Sequence, residues 1–150
     1  ANVARKFSVS IRSITSLIYV STAKAGLSLD EFMEILTVSQ RNNQRYGITG
    51  LLVFNGTNFM QCLEGDKSST SDRLHQIGMD DRHTGLTVVS GMEMASRQFS
   101  GWHMAGRYLP AKHDAGQNEL SELLAETCVS GTTRQLFQSF RSLGYDIPAE

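Results

Sequence analysis

Gln61 is the residue least in keeping with its neighbours. It stands in the run Phe59-Met60-Gln61-Cys62-Leu63, where strand alternation sends Phe59, Gln61 and Leu63 to one face. A primary carboxamide brings two N–H donors and a carbonyl acceptor, and burying it unpaired costs about 1–3 kcal/mol. Either that face is open to water, or a backbone group or a polar side chain answers it. Tyr19, in the run Leu17-Ile18-Tyr19-Val20, offers the complementary group, because a phenol on an apolar face also needs a hydrogen-bond partner. A Tyr–Gln pair on adjacent strands would satisfy both. The plain alternative is that Tyr19 packs, as strand tyrosines commonly do.

Three further groups can do chemistry. Asn42-Asn43 falls just before Gly47, where an asparagine can cap a helix end, bend the chain, or present its amide to a ligand. Arg82-His83 can complement a helix C-terminus or reach a phosphate. Trp102 and Met104 are two apart in a run to Leu109 that reads as a strand. On that reading they share a face with Tyr108, as core or as a surface that repacks. His75, His83, His103 and His113 have no HExxH-like spacing, so no metal site is expected. Neither a hydrolase triad, a P-loop nor a GxGxxG fingerprint is present.

The elements that must position these groups can be read from periodicity. The first strand centres on Leu17–Val20. Ser28 followed by Glu31 is a capping box, and Leu29, Phe32, Met33 and Leu36 recur at helical spacing, predicting a helix from Leu29 to about Arg41. Ile48–Phe54 and Thr57–Leu63 flank Asn55-Gly56, a hairpin dipeptide. A second helix is expected after a cap in Ser69–Asp72, and further strands over Leu86–Glu93 and Trp102–Leu109, the last stopped by Pro110. The order βαββαββ predicts an α+β fold, a ferredoxin-like mixed sheet with two helices on one face. Leu120, Leu123 and Leu124, then Leu136, Phe137, Phe140 and Leu143, form two stripes of C-terminal helices, with Gly144 as a stop. They must be buried on the sheet's open face or against another subunit.

Composition narrows the function classes. The 150 residues suit one domain. With 40% hydrophobic and 19% charged residues the chain is not of disordered composition. Fourteen basic against fifteen acidic residues, without a basic block, argue against nucleic acid as partner. No apolar run reaches the roughly 20 residues of a membrane helix. Two cysteines, Cys62 and Cys128, cannot build a disulfide framework, so a reducing, cytoplasmic setting is expected. Residues 1–15 carry Arg5, Lys6 and Arg12 without an acid and read as a loose arm, with a transit-peptide reading open.

Taken together, Tyr19, Arg41-Asn42-Asn43, Gly47-Ile48-Thr49-Gly50-Leu51-Leu52, Phe59-x-Gln61-x-Leu63-Glu64-Gly65, Asp81-Arg82-His83 and Trp102-x-Met104 resemble a BLUF domain, a blue-light sensor using FAD. The likeness covers residues 16–109, leaving an arm at 1–15 and a helical extension at 110–150. It implies a flavin held between the two helices. By resemblance Tyr19 is the electron and proton donor, Gln61 the switching amide and Asn43 the ligand of the ring's carbonyl edge. Asn42, Arg82 and His83 match positions near the ligand, Ile48 and Phe59 apolar walls, and Trp102 and Met104 the segment that differs between dark and lit states. One position departs: Gln76 stands where some relatives have an arginine toward the flavin's polar tail, which leaves FAD, FMN and riboflavin open.

The chemistry of the residues agrees with the resemblance. A phenol with a reference pKa of about 10 is neutral in the dark and can lose an electron and proton to an excited oxidant. After rotation or tautomerisation, between which the sequence does not choose, a carboxamide can then offer a donor or an acceptor to the same neighbour, so the network has two satisfied arrangements. The expectation is a non-enzymatic photoreceptor, homo-oligomeric and acting on a separate protein. A flavin-free α+β oligomerisation module is the alternative. An acylphosphatase-like enzyme is disfavoured, because the turn Thr22-Ala23-Lys24-Ala25-Gly26 lacks an arginine.

Overall fold

The computed structural model describes residues 13–110 and 114–140. Strand β1 (Ile14–Ala23) is followed by α1 (Leu29–Tyr46), β2 (Thr49–Phe54), β3 (Asn58–Gly65), α2 (Lys67–Gly78), β4 (His83–Met94), β5 (Ala105–Tyr108), α3 (Asp114–Ala125) and α4 (Gly131–Phe140). The five strands form one sheet in the order β4-β1-β3-β2-β5. All pairs are antiparallel except β2 with β5, so the sheet is mixed and the expected α+β class holds. β1 begins at Ile14, inside the stretch read as an arm.

Local chemistry sets the helix ends. Ser28 and Glu31 form the expected capping box at the start of α1. The helix runs one turn beyond Arg41, because Gly47 takes the left-handed conformation (φ 68°) and donates its N–H to the Asn43 carbonyl. Asn42 and Asn43 therefore lie within α1, not at its end. α2 is capped by Asp66, whose Oδ1 accepts the Ser69 N–H at 2.8 Å. It thus starts ahead of the expected Ser69–Asp72 region. At the hairpin, Asn55 Oδ1 accepts the N–H groups of both Thr57 and Asn58.

Alternation along the strands then builds two cores. On one face Phe32 and Leu36 of α1 pack with Leu52, Phe54, Phe59, Leu63 and Met104. On the other, Leu120, Leu123 and Leu124 of α3 and Phe137 and Phe140 of α4 pack with Ile18, Leu51, Val53, Met60 and Cys62. Every residue of β2 is buried, as expected of a strand covered on both sides. The C-terminal stripes thus close the sheet's open face, while Leu143 and Gly144 lie outside the described residues. α1 approaches β5 so closely that a methyl at Gly106 would collide with Leu36.

The last strand is shorter than expected. β5 starts at Ala105, because Met104 at φ 139° breaks the extended geometry. Trp102 and Met104 consequently do not share a face: Met104 joins the core under α1, and Trp102 packs against the core under α3 and α4. Among the described residues no helix is long and apolar enough to cross a membrane, and no group of three or more His, Cys, Asp or Glu could hold a metal.

Candidate functional site

A cleft opens between α1 and α2, with the sheet as its floor. Tyr19 of β1 and Gln61 of β3 are direct partners in the strand register, so their side chains emerge side by side. The Tyr19 hydroxyl donates to Gln61 Oε1 at 2.6 Å, and both residues are buried. Gln61 Nε2 in turn donates to Met104 Sδ at 3.2 Å. The Met104 carbonyl accepts from Gln40 Nε2 of α1 at 3.0 Å. The phenol is thus one end of a chain that reaches the segment before β5. Burial, and secondarily the charge of Asp80, pushes the Tyr19 pKa up, so the phenol is neutral at any physiological pH.

The walls are Ile35, Val38 and Ser39 on α1, Arg73, Gln76 and Ile77 on α2, and Phe59 and His83 at one end. A second hollow, lined by Tyr46, Ile48, Ser69, Asp72 and His75, shares Arg73 and Gln76 with the first. Asn43 lies one turn beyond Ser39 on α1 and is 1% exposed. Neither its Nδ2 nor its Oδ1 has a hydrogen-bond partner among the described residues. An unanswered buried amide costs about 1–3 kcal/mol per group, which points to a ligand bearing both an acceptor and a donor.

The expected site residues divide into two sets. Tyr19, Gln61, Phe59, Arg82 and His83 line the cleft, and Ile48 the adjoining hollow. His83 is occupied by the protein itself, its Nε2 paired with the Ile77 carbonyl at 2.6 Å and its Nδ1 with the Ser21 hydroxyl at 2.7 Å. It therefore serves as a wall that ties α2 to β1. Arg82 is also engaged, its Nε donating to Asp80 Oδ1 at 2.9 Å within an ion pair. That bond, first among the causes, draws the Asp80 carboxyl down to about 2. Asn42 is half-buried, and neither it nor the buried Asn43 is among the residues lining the cleft or the hollow. Trp102 faces away, its ring 5.8 Å from that of Phe99.

Sequence reasoning missed the clamp on the segment leading to Met104. Glu64, fully buried, accepts the backbone N–H groups of Gln98 and Phe99 at 2.8 and 2.9 Å and the Thr49 hydroxyl at 3.2 Å. Arg97 donates to the Gly47 carbonyl, the Glu64 carbonyl and Thr49 Oγ1. Gln98 donates to Ser16 Oγ and accepts the N–H of Ser130, the residue before α4. A glutamate beside Gly65 was the available signal, but the backbone groups it holds, at Gln98 and Phe99, lie more than 30 residues away.

Residues 14–105 match the family model described as BLUF, sensors of blue-light using FAD. The chain belongs to the BLUF family. It is 27% identical to the blue light- and temperature-regulated antirepressor BluF of Escherichia coli (strain K12), over 91% of this chain and 36% of that protein. It is 28% identical to the photoactivated adenylate cyclase subunit beta of Euglena gracilis, over 91% of this chain and 15% of that one. Among solved structures, the Klebsiella pneumoniae BlrP1 manganese/cy-diGMP complex superposes with a TM-score of 0.77 at 28% identity, covering 91% and 35% of the two chains. This chain spans about a third or less of the length of these relatives. The family's flavin fits this region on an observation of this chain: Asn43, one turn beyond the cleft-lining Ser39 on α1, has an orphaned donor and acceptor that match the adjacent carbonyl and N–H of an isoalloxazine edge.

Proposed function

We propose that this BLUF domain is a blue-light switch whose flavin lies between α1 and α2, and whose moving part is the chain Tyr19–Gln61–Met104. The bond from the Tyr19 hydroxyl to Gln61 Oε1 carries the proposal, because it joins the one oxidisable phenol on the cleft floor to the one amide beside it. When bound, the flavin supplies blue-light absorption and an excited state that takes up an electron. Asn43 would hold the ring's polar edge, and Phe59, Leu52 and Ile35 would exclude water from its faces.

On excitation Tyr19 gives up an electron, and its hydroxyl proton, acidified by that loss, passes to Gln61 Oε1. The electron then returns to Tyr19 and the proton passes back from Gln61 Oε1 to the phenol oxygen, and the Gln61 carboxamide, neutral again, makes a half-turn about its last side-chain bond. Its N–H then faces Tyr19 and its carbonyl faces Met104. A thioether accepts but cannot donate, so the bond to Met104 Sδ is lost. The segment from Gln98 to Met104 thereby acquires a second set of contacts, and Gln98 connects it to Ser130 at the start of α4. The output is a change of surface offered to a partner protein or to a second copy, as support for which β4 is an edge strand exposing Val88 and Val89.

Loading the protein with flavin and illuminating it with blue light tests this. The expected result is a red shift of the blue absorption band that decays in the dark. A protein that binds flavin but shows no reversible shift contradicts the sensor function, and one that binds none supports the flavin-free module.

A further inference from the structure

We propose that Arg73 recognises the phosphate of the bound flavin, so that the site selects FMN and FAD over riboflavin. The proposal rests on the flavin site proposed above and adds what holds the tail. Two guanidinium groups, those of Arg73 and Arg82, line the cleft. Arg82 is already neutralised by Asp80, through Nε and through Nη2. Arg73 has no hydrogen-bond or ion-pair partner among the described residues, although it is half-buried.

Arg73 also lies where a tail would leave the cleft. It is one of two residues shared by the cleft and the adjoining hollow, the other being Gln76 one turn later on α2. Gln76 is neutral, so Arg73 is the charged group of the two. A guanidinium offers five donors in a planar fork that matches phosphate oxygens. Of the neighbouring charges, Asp80 is spent on Arg82, and Asp72 lines only the outer hollow, where it opposes an anion that strays from Arg73. Riboflavin carries the same ring and sugar-alcohol chain without the phosphate, which isolates the contribution.

Flavin-free protein titrated in the dark with riboflavin, FMN and FAD, following flavin fluorescence, measures this. Arg73→Gln is expected to weaken FMN and FAD roughly tenfold or more, as loss of a charge-assisted hydrogen bond does, and to leave riboflavin within about twofold. Arg73→Lys should recover part of the loss. Raising salt from about 0.05 to about 0.5 M should erode the preference of the unaltered protein for FMN over riboflavin. Arg134→Gln, on α4 across the sheet, should change none of the three affinities. Equal weakening of all three flavins by Arg73→Gln, or none, overturns the proposal while leaving the flavin site standing. Failure of the unaltered protein to bind any of them removes both.

Discussion

Tyr19 and Gln61 share one hydrogen bond but contribute different properties to it. The phenol can be oxidised, and its burial keeps it protonated until it is. The carboxamide can be turned, and in its present arrangement both of its ends are engaged. Tyr19→Phe is therefore expected to keep flavin bound while abolishing the photoinduced red shift, checked by absorption spectroscopy in light and dark. Asn43 is a third case, a polar group whose burial makes sense only with a ligand. Asn43→Leu should raise the stability of the flavin-free protein by about 1 kcal/mol in a denaturant titration, by removing two unanswered polar atoms. The same variant should bind flavin at least about tenfold more weakly. Tyr19 and Gln61 were legible because strand alternation set a polar residue against an apolar pattern, and Asn43 only through the resemblance, since its own surroundings read as a helix end. Arg73, Gln40 and Gln98 were not, because an exposed-looking polar residue acquires its meaning only from a partner that the tertiary fold supplies.

At the scale of elements, the site depends on how segments end. α1 must continue through Asn43 before Gly47 stops it, and sequence reading ended it a turn too early by giving the stop to the asparagines. The segment after β4 was read as strand from Trp102, yet the buried Glu64 and the left-handed Met104 hold it irregular and send Trp102 and Met104 to opposite cores. Such a clamp has no periodicity and so leaves no pattern to detect. The turn between α2 and β4 is secured by Asp80 and Arg82, with a pH signature. Because the Asp80 carboxyl is depressed to about 2 from 3.8, its stabilisation is fully present above about pH 4 and is lost as pH falls through about 2. The pair is partly solvated, so the contribution is about 1 kcal/mol or less. Asp80→Asn should lower stability by that amount at pH 7, with the difference disappearing below about pH 2 in acid-unfolding curves.

The described residues form a sheet between two helical layers, with the proposed flavin cleft on one side and α3 and α4 on the other. The fold class and element order were legible because hydrophobic periodicity records which residues face a core. Which layer the C-terminal stripes would cover was not, since an apolar stripe fits a sheet face or another subunit equally well. The segment from Arg97 to Met104 passes from one layer to the other, and Gln98 is its link to α4. Gln98→Leu is expected to keep the flavin and its red shift but to remove any light-dependent change in amide hydrogen exchange at the start of α4. Retention of that change in the variant would place the route elsewhere.

The rearrangement of one carboxamide is the central claim, and its own vibration reports it. Light-minus-dark infrared difference spectra of flavin-loaded protein, with and without isotope-labelled glutamine, should contain label-sensitive carboxamide bands that vanish in Gln61→Leu. A full visible red shift accompanied by no label-sensitive glutamine band would contradict the account.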